Sequence, residues 1–344
     1  MRRRSAVLIP AILAASLAAA PAAGLRFRRM SGPGTGGAVL DLGETGSFDA
    51  AWVAAPTVLR EGPAYRMWYS SLFDSKMGRG GIGLATSRDG LNWRRENGGR
   101  PLLSPGPAGA FDDGQVGFPE VVFDGALYRM WYAGMAVGWH ESGFGHYRIG
   151  LATSRDGLAW ERANGGRPVV DLGPAGAPDE VQAGPGAVLA EAGGYRMWYA
   201  AWSPRRSHTI AVARSSDGIQ WSRENRGEPV RGLRPPEAYG PAVCRVGEYY
   251  YMLFMALRAE RALYAARSRD GIEWEMLAEG APVLAPGRTE AFDAHQVGHA
   301  CILRLGSTLR VWYTGYRLEP GGVRGLALRI GLAETAVADL EAPD

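Results

Sequence analysis

Phe111-Asp112 opens the decisive stretch of this sequence. Val116-Gly117-Phe118-Pro119 follows, then Tyr128-Arg129-Met130-Trp131-Tyr132, then Ile149-Gly150-Leu151-Ala152-Thr153-Ser154-Arg155-Asp156-Gly157, and last Trp160 with charges behind it. The aromatic core of this pattern recurs intact at Tyr65-Arg66-Met67-Trp68-Tyr69 and Tyr195-Arg196-Met197-Trp198-Tyr199. It recurs degraded at Tyr250-Tyr251-Met252-Leu253-Phe254 and Leu309-Arg310-Val311-Trp312-Tyr313. A repeat of roughly 50–70 residues made of short strands signals a radial or stacked architecture. Each unit carries four strand-like pieces, in the second unit 116–123, 128–133, 149–154 and 158–162. Asp-Gly pairs at Asp89, Asp156, Asp217 and Asp270 mark the last turn of four units, since they adopt primed hairpin turns readily. The fold class is therefore all-β, a five-bladed β-propeller with four antiparallel strands per blade.

The fifth unit lacks the Ser-x-Asp-Gly turn and an outer strand after it. Phe27-Arg28-Arg29-Met30 resembles Trp93-Arg94-Arg95-Glu96, and both lead through Gly and Pro to a Phe-Asp pair. The N-terminal strand is thus expected to complete the fifth blade and leave no open seam.

Residues 1–24 read as a secretory signal peptide: Arg2, Arg3 and Arg4, an Ala/Leu-rich stretch, then small residues at Ala20-Pro21-Ala22-Ala23. Residues 25–340 form one propeller domain. The implied location is secreted or periplasmic, with an organellar lumen as the alternative. The formal charge is +3; removal of the three leader arginines brings it near zero. With no basic block, nucleic acid is excluded as a partner, and no membrane association is expected after cleavage. A monomer is expected. Cys244 and Cys301 fall in inner strands of successive blades and are read as buried free thiols.

Strand direction alternates within a blade, so the loop leading into the first strand and the loop joining the second to the third share one face of the disc. That face gathers His140, His146, His208, His295 and His299, together with Trp52, Trp139 and Trp202 and the acids Asp49, Asp112, Asp113, Asp179, Glu180, Glu237 and Asp293. Aromatic plates beside carboxylates in a concave funnel suit a sugar, whose C–H faces stack on rings while its hydroxyls bond polar groups. The Phe-Asp aspartates recur between blades, which favours a turn or capping role for them. Asp113, Glu120, Glu180, His140, His146 and His299 do not recur and carry more functional information.

The five-bladed count, the Phe-Asp…Pro lead-in, the Arg-Met-Trp-Tyr strand and the Ser-Arg-Asp-Gly-x-x-Trp turn resemble the arabinanase/levansucrase/invertase superfamily, with its glycoside hydrolase family 43, 32 and 130-like members. The last of these motifs also resembles a sialidase Asp-box shortened by one residue, and reads as a hairpin with a Trp packed between blades. The superfamily resemblance implies a carbohydrate-active propeller whose catalytic acids stand on the inner strands of the first three blades, just before proline. Here those positions hold Ala55, Phe118 and Gly184, none acidic. Asp49, Asp113, Glu120 and Glu180 are the catalytic candidates in their place. Trp52, Asp112, Phe118, Trp139, His146, Trp202 and His295 are the candidates for substrate binding. The Gly298-His299 step matches one that in the superfamily lies near the axis and helps hold a cation, often through water. His299 is therefore the metal candidate: a Ca²⁺ on the axis is compatible, and no cofactor is required. Three readings stay open: a glycoside hydrolase-like enzyme with displaced carboxylates, a non-catalytic carbohydrate-binding propeller, and a protein-binding propeller.

Overall fold

The computed structural model describes residues 25–74, 79–138, 146–257, 259–323 and 325–341. Trp139 and His140 fall outside them, as does the leader 1–24. Strand β1 (Arg28–Met30) comes first. Blade one is β2 (Ala54–Glu61), β3 (Ala64–Asp74), β4 (Arg79–Ser87) and β5 (Arg94–Arg95). Blade two is β6 (Gln115–Phe123), β7 (Tyr128–Met135), β8 (Arg148–Ser154) and β9 (Glu161–Arg162). Blade three is β10 (Gln182–Glu191), β11 (Gly194–Ser203), β12 (Ser207–Ser215) and β13 (Ser222–Arg223). Blade four is β14 (Ala238–Val246), β15 (Tyr249–Ala256), β16 (Leu263–Ser268) and β17 (Glu275–Met276). Blade five takes β18 (Gln296–Leu305), β19 (Thr308–Val323) and β20 (Leu326–Ala336), followed by a helical turn α1 (Val337–Glu341). Its outer strand is β1, in the order β1-β20-β19-β18, with Arg28 opposite Glu334 and Met30 opposite Leu332. The ring closes as the sequence predicts. Among the described residues no helix is long and apolar enough to cross a membrane.

The outer strands are shorter than expected. In blade two, Asp156 Oδ1 accepts the N–H groups of Leu158 and Ala159, and Ser154 Oγ accepts that of Gly157. Those donors are lost to the ladder, so pairing resumes only at Glu161–Arg162. The same turn fastens one blade to the next. The Gly157 carbonyl accepts both its own Trp160 Nε1 (3.1 Å) and Trp68 Nε1 of blade one (3.2 Å), and the two indoles meet edge to face. Gly90 does the same for Trp93 and Trp312, Gly218 for Trp221 and Trp131, and Gly271 for Trp274 and Trp198. Four of the five seams are stapled this way. At the fifth, between blades four and five, Leu253 stands in the Trp position, and Leu25, Phe27 and Leu340 join the large apolar cluster there instead.

Within blades, the Phe-Asp aspartates are structural. Asp49 accepts from Tyr69 Oη (2.8 Å) and Arg95 Nε (2.7 Å) and has no exposure. Asp112 repeats this with Tyr132 and Arg162, Asp179 with Tyr199 and Arg223, and Asp293 with Tyr313 and Arg29. Each carboxylate ties the lead-in loop to the second and the outer strand of its own blade. Burial, then the neighbouring carboxylate, drives each tyrosine hydroxyl well above its ordinary pKa. Room for the carboxylate comes from a glycine six residues upstream: a Cβ on Gly106 would lie 2.3 Å from Asp112 Oδ1.

Blade four has lost this lock as a unit. Phe254 replaces the tyrosine and Met276 the arginine, and eight positions separate Pro229 from Glu237, against fourteen between Pro101 and Gln115. In blade two the Phe111 ring occupies space that Gly150 leaves open; at the equivalent position blade four carries Tyr264, which fills part of what the missing Phe vacates. A cavity of about 780 Å³ remains beside it, lined by Tyr264, Trp274, Met276 and Arg234.

Candidate funnel site on the propeller axis

Every inner strand breaks its ladder at one point, skipping two residues against its neighbour: between Ala54 and Thr57, Gly117 and Glu120, Gly184 and Ala187, Tyr239 and Ala242, and Gly298 and Cys301. The first bulged residues are Ala55, Phe118, Pro185, Gly240 and His299. Four of them have positive φ: 48°, 50°, 59° and 44° for Ala55, Phe118, Gly240 and His299. Such strain in three non-glycine residues around one axis is a mark of a site. The third-blade position is therefore Pro185, not Gly184 as the residue-before-proline rule implies, because blade three inverts the Gly/Pro order. Hydroxyls on the preceding blade satisfy two of the exposed N–H groups: Ser70 Oγ accepts from Phe118 (2.6 Å) and Thr314 Oγ1 from Ala55 (2.8 Å). The equivalent residue of blade two is Ala133, and the residue it would serve, Pro185, has no N–H to offer.

These bulges enclose an axial cavity of about 30 Å³, also lined by Glu120. That volume holds a water but not a sugar ring, since ligand pockets run to roughly 300–1,000 Å³. Phe118 and His299, which line it, belong to a cluster of aromatic rings that forms a floor at the axis. Phe118 contacts His299 (centroids 5.0 Å apart) and Tyr147 (5.6 Å), and His299 contacts Tyr239 (5.5 Å). The chain of rings continues outward through His208 (5.4 Å from Tyr239) to Trp202 (6.0 Å from His208). Two buried amides support it: Gln182 Nε2 donates to Tyr239 Oη (3.2 Å), and Gln115 Oε1 accepts from Tyr147 Oη (3.5 Å). Burial pushes the His299 imidazole down to about 4, so it is neutral at pH 7.

Of the carboxylate candidates, only Glu120 reaches the axis. Its Oε1 accepts the Val188 N–H (3.3 Å), and its Oε2 lies 3.0 Å from Thr57 Oγ1. Thr57 Oγ1 is also 2.5 Å from the Pro119 carbonyl. A hydroxyl has one proton, and the carbonyl takes it at the shorter distance. Both contacts are satisfied when Glu120 carries a proton and donates it to Thr57. Burial acts in the same direction, pushing Glu120 up to about 8. The other acids are elsewhere. Asp49 and Asp112 belong to the blade locks. Asp113 accepts the N–H groups of Val137 and Gly109, which hold it below the usual carboxylate range. Glu180 accepts the N–H of Gly176, so it caps in blade three the turn that Asp113 caps in blade two. Those two acids, read as non-repeating, occupy one repeated position.

Trp52 heads the column that continues as Gln115, Gln182, Glu237 and Gln296 around the funnel, and its Nε1 donates to the Leu326 carbonyl (3.1 Å). His146 is half-buried, its pKa lowered by burial and by Arg148. His295 is exposed and accepts the Leu318 N–H on Nδ1 (3.2 Å). The residues missed by the sequence reading are Gln115, Tyr147, Gln182 and Tyr239. Tyr239 was legible: the same column elsewhere holds Ala54, Gly117, Gly184 and Gly298.

The fit to an axial Ca²⁺ is poor. A hard cation wants six to eight oxygens, whereas the axis offers one carboxyl engaged with Thr57 and Val188 among proline, alanine and aromatic side chains. Among the described residues no three His, Cys, Asp or Glu side chains converge. Cys244 and Cys301 are free thiols, both pushed up to about 12 by burial, and Cys301 Sγ accepts the Val58 N–H (3.2 Å).

No protein-family model matches the chain. Two uncharacterized proteins of Mycobacterium tuberculosis, MT1551 (strain CDC 1551 / Oshkosh) and Rv1502 (strain ATCC 25618 / H37Rv), are each 30% identical over 210 residues, which is 57% of this chain and 65% of theirs. The chain thus spans just under two thirds of the length of these relatives. Among solved structures it is similar to a thermostable family-43 glycoside hydrolase (TM-score 0.63, 18% identity, 89% of this chain and 91% of the other). It is similar to an N-acetylgalactosamine deacetylase from F. plautii in complex with blood group B trisaccharide (0.65, 17%, 91% and 96%). It is also similar to a protein of the GH130 family of mannoside phosphorylases, which contains glycoside hydrolases that target β-1,2 mannosidic linkages in Candida mannan (0.63, 14%, 90% and 94%). At these identities the likeness is one of fold: the chain shares the five-bladed propeller of family 43, family 130 and related glycoside hydrolases.

Proposed function

We propose that this chain is a carbohydrate-binding propeller that holds a saccharide on the aromatic floor of its funnel without hydrolysing it. The observation that carries the reading is a cluster of Phe118, Tyr147, Tyr239 and His299 beside a one-water cavity whose one lining carboxyl, Glu120, is pushed up to about 8 by burial. Hydrolysis of a glycosidic bond requires two carboxyls at roughly 5–10 Å across the scissile bond. Here the bulge positions carry Ala, Phe, Pro, Gly and His, the candidate acids Asp49, Asp112, Asp113 and Glu180 serve loops and locks, and Glu237 accepts from Ser207 Oγ. What remains suits recognition: ring faces for stacking, and tyrosine hydroxyls for sugar hydroxyls. The related fold of carbohydrate-acting proteins supports the ligand class. The leader-like residues 1–24 support a role outside the cytoplasm, and the reading needs no cofactor.

The test is a screen of the purified protein against arabinan, xylan, fructan and mannan oligosaccharides, following both thermal shift and release of reducing ends. A shift without product is the expected result. Product release that disappears in Glu120→Gln would refute a binding-only role.

A further inference from the structure

The third strand of each blade brings one residue to the same station around the funnel. Ile82, Ile149, Ile210, Leu263 and Ile330 each bond to the connector that leads to the next blade. Two residues earlier stand Gly80, Tyr147, His208, Arg261 and Leu328. The carbonyls of Tyr147, Arg261 and Leu328 make the same bond, each accepting an inner-strand N–H of the next blade, from Ala183, Val297 and Val53. Tyr147 and His208 belong to the ring cluster at the axis. Blade four thus puts a permanent cation where blades two and three put rings. Arg261 is exposed and makes no ion pair among the described residues.

The polar groups beside it are open too. Gln296 and Tyr316 stand opposite each other on β18 and β19. Gln115 and Gln182, in the same column as Gln296, are tied to Tyr147 and Tyr239. The Gln296 amide and the Tyr316 hydroxyl have no hydrogen-bond partner among the described residues. Both residues are half-buried, so solvent reaches them. Burial and then Tyr239 raise the Tyr316 hydroxyl, and Arg261, close by, pulls it the other way. The acid of the column, Glu237, is engaged toward blade three by Ser207 Oγ (2.6 Å), and Glu260, next to Arg261 in the chain, is exposed. A guanidinium, an amide and a phenol on one side of the funnel can all donate, and a guanidinium matches a carboxylate through two parallel bonds. We infer that this sector, Arg261 with Gln296 and Tyr316, binds the carboxylate of a uronic acid unit in a saccharide held on the ring cluster. The inference rests on the saccharide reading of the funnel.

The test uses the full chain and titration calorimetry at pH 7 with trigalacturonic acid, its methyl ester and neutral galactotriose. The acid should bind about tenfold or more tighter than either neutral ligand, and the gap should narrow as salt rises. Arg261→Met, which keeps an unbranched stem and removes the charge, should abolish that advantage and leave binding of the ester unchanged. Its melting temperature should match wild type, because the Arg261 side chain holds no acid. Tyr316→Phe should weaken the acid by a smaller factor. Acid and ester bound equally, binding of neutral saccharides alone, or an acid advantage that survives Arg261→Met overturns the carboxylate subsite and leaves the saccharide reading intact. A protein that binds neither these ligands nor arabinan, xylan, fructan and mannan oligosaccharides overturns both.

Discussion

Replacing Glu120 by Gln should stabilise the protein above neutral pH, by an amount that grows with pH. In the unfolded chain this carboxyl loses its proton near the ordinary 4.5; in the folded one it keeps it to about 8. Between those values the unfolded state binds fewer protons, so stability falls as pH rises through this window and levels off above it. Each pH unit of separation corresponds to about 1.4 kcal/mol, which puts the full penalty at no more than ~5 kcal/mol. Glutamine meets every demand at the site: Oε1 accepts the Val188 N–H, Nε2 donates to Thr57 Oγ1, and Thr57 still donates to Pro119. The variant should therefore match wild type at pH 4.5 and melt higher at pH 8.5, by roughly 5–10 °C for a domain of this size. Urea denaturation at four or five pH values measures the difference directly. Equal stability across that range, or a Gln variant less stable at high pH, would refute the protonated state of Glu120 and the hydrogen-bond direction drawn from it.

Two further outcomes follow from the blade locks. Asp49 Oδ1 accepts from Ser47 Oγ (2.8 Å), but blades two, three and five carry Ala110, Ala177 and Ala291 at that position, and Oδ1 of Asp112, Asp179 and Asp293 is buried without a partner among the described residues. Ala110→Ser, Ala177→Ser and Ala291→Ser should each add about 0.5–1.5 kcal/mol of stability in chemical denaturation, and unchanged midpoints would count against the lock. Arg29→Ala should cost about 3 kcal/mol or more, because it strands the fully buried Asp293 carboxylate at the closing strand; a melting curve like that of wild type would contradict closure through β1.

The blade count, the aromatic second strands and the closing strand were all readable, because each depends on local patterns that recur at the same spacing. What escaped was anything set by alignment between blades. Asp113 and Glu180 look unrelated until the bulges bring the blades into register; then both cap the same turn. Pro185 displaces Gly184 from the axis because a two-residue bulge, not a proline, defines the position. The upward shift of Glu120 comes from its burial, and its partners Thr57 and Val188 lie in the neighbouring blades, sixty-three and sixty-eight residues away; no periodicity carries that information. Conversely, the recurrence of Phe-Asp rightly suggested a structural part for those aspartates, and the arginines and tyrosines that complete the lock stand in the same repeat.

The closing strand has a consequence for how the molecule is made. Arg29 is among the earliest described residues, yet its partners Asp293, Tyr313 and Ala333 belong to the last blade. Until that blade is synthesised, β1 has no neighbour, and blades one to four form an arc with two bare ends. Of the two seams that the last blade makes, the one to blade four lacks a tryptophan staple and is joined by apolar side chains that need no exact donor geometry, whereas the one to blade one carries the Trp312 staple. A ring assembled in chain order can thus seat its last blade on blade four by hydrophobic docking and then close on blade one, with the Arg29–Asp293 pair as the latch. Chains released before residue 293 would lack that latch, and their exposed edges would be open to pairing with other chains.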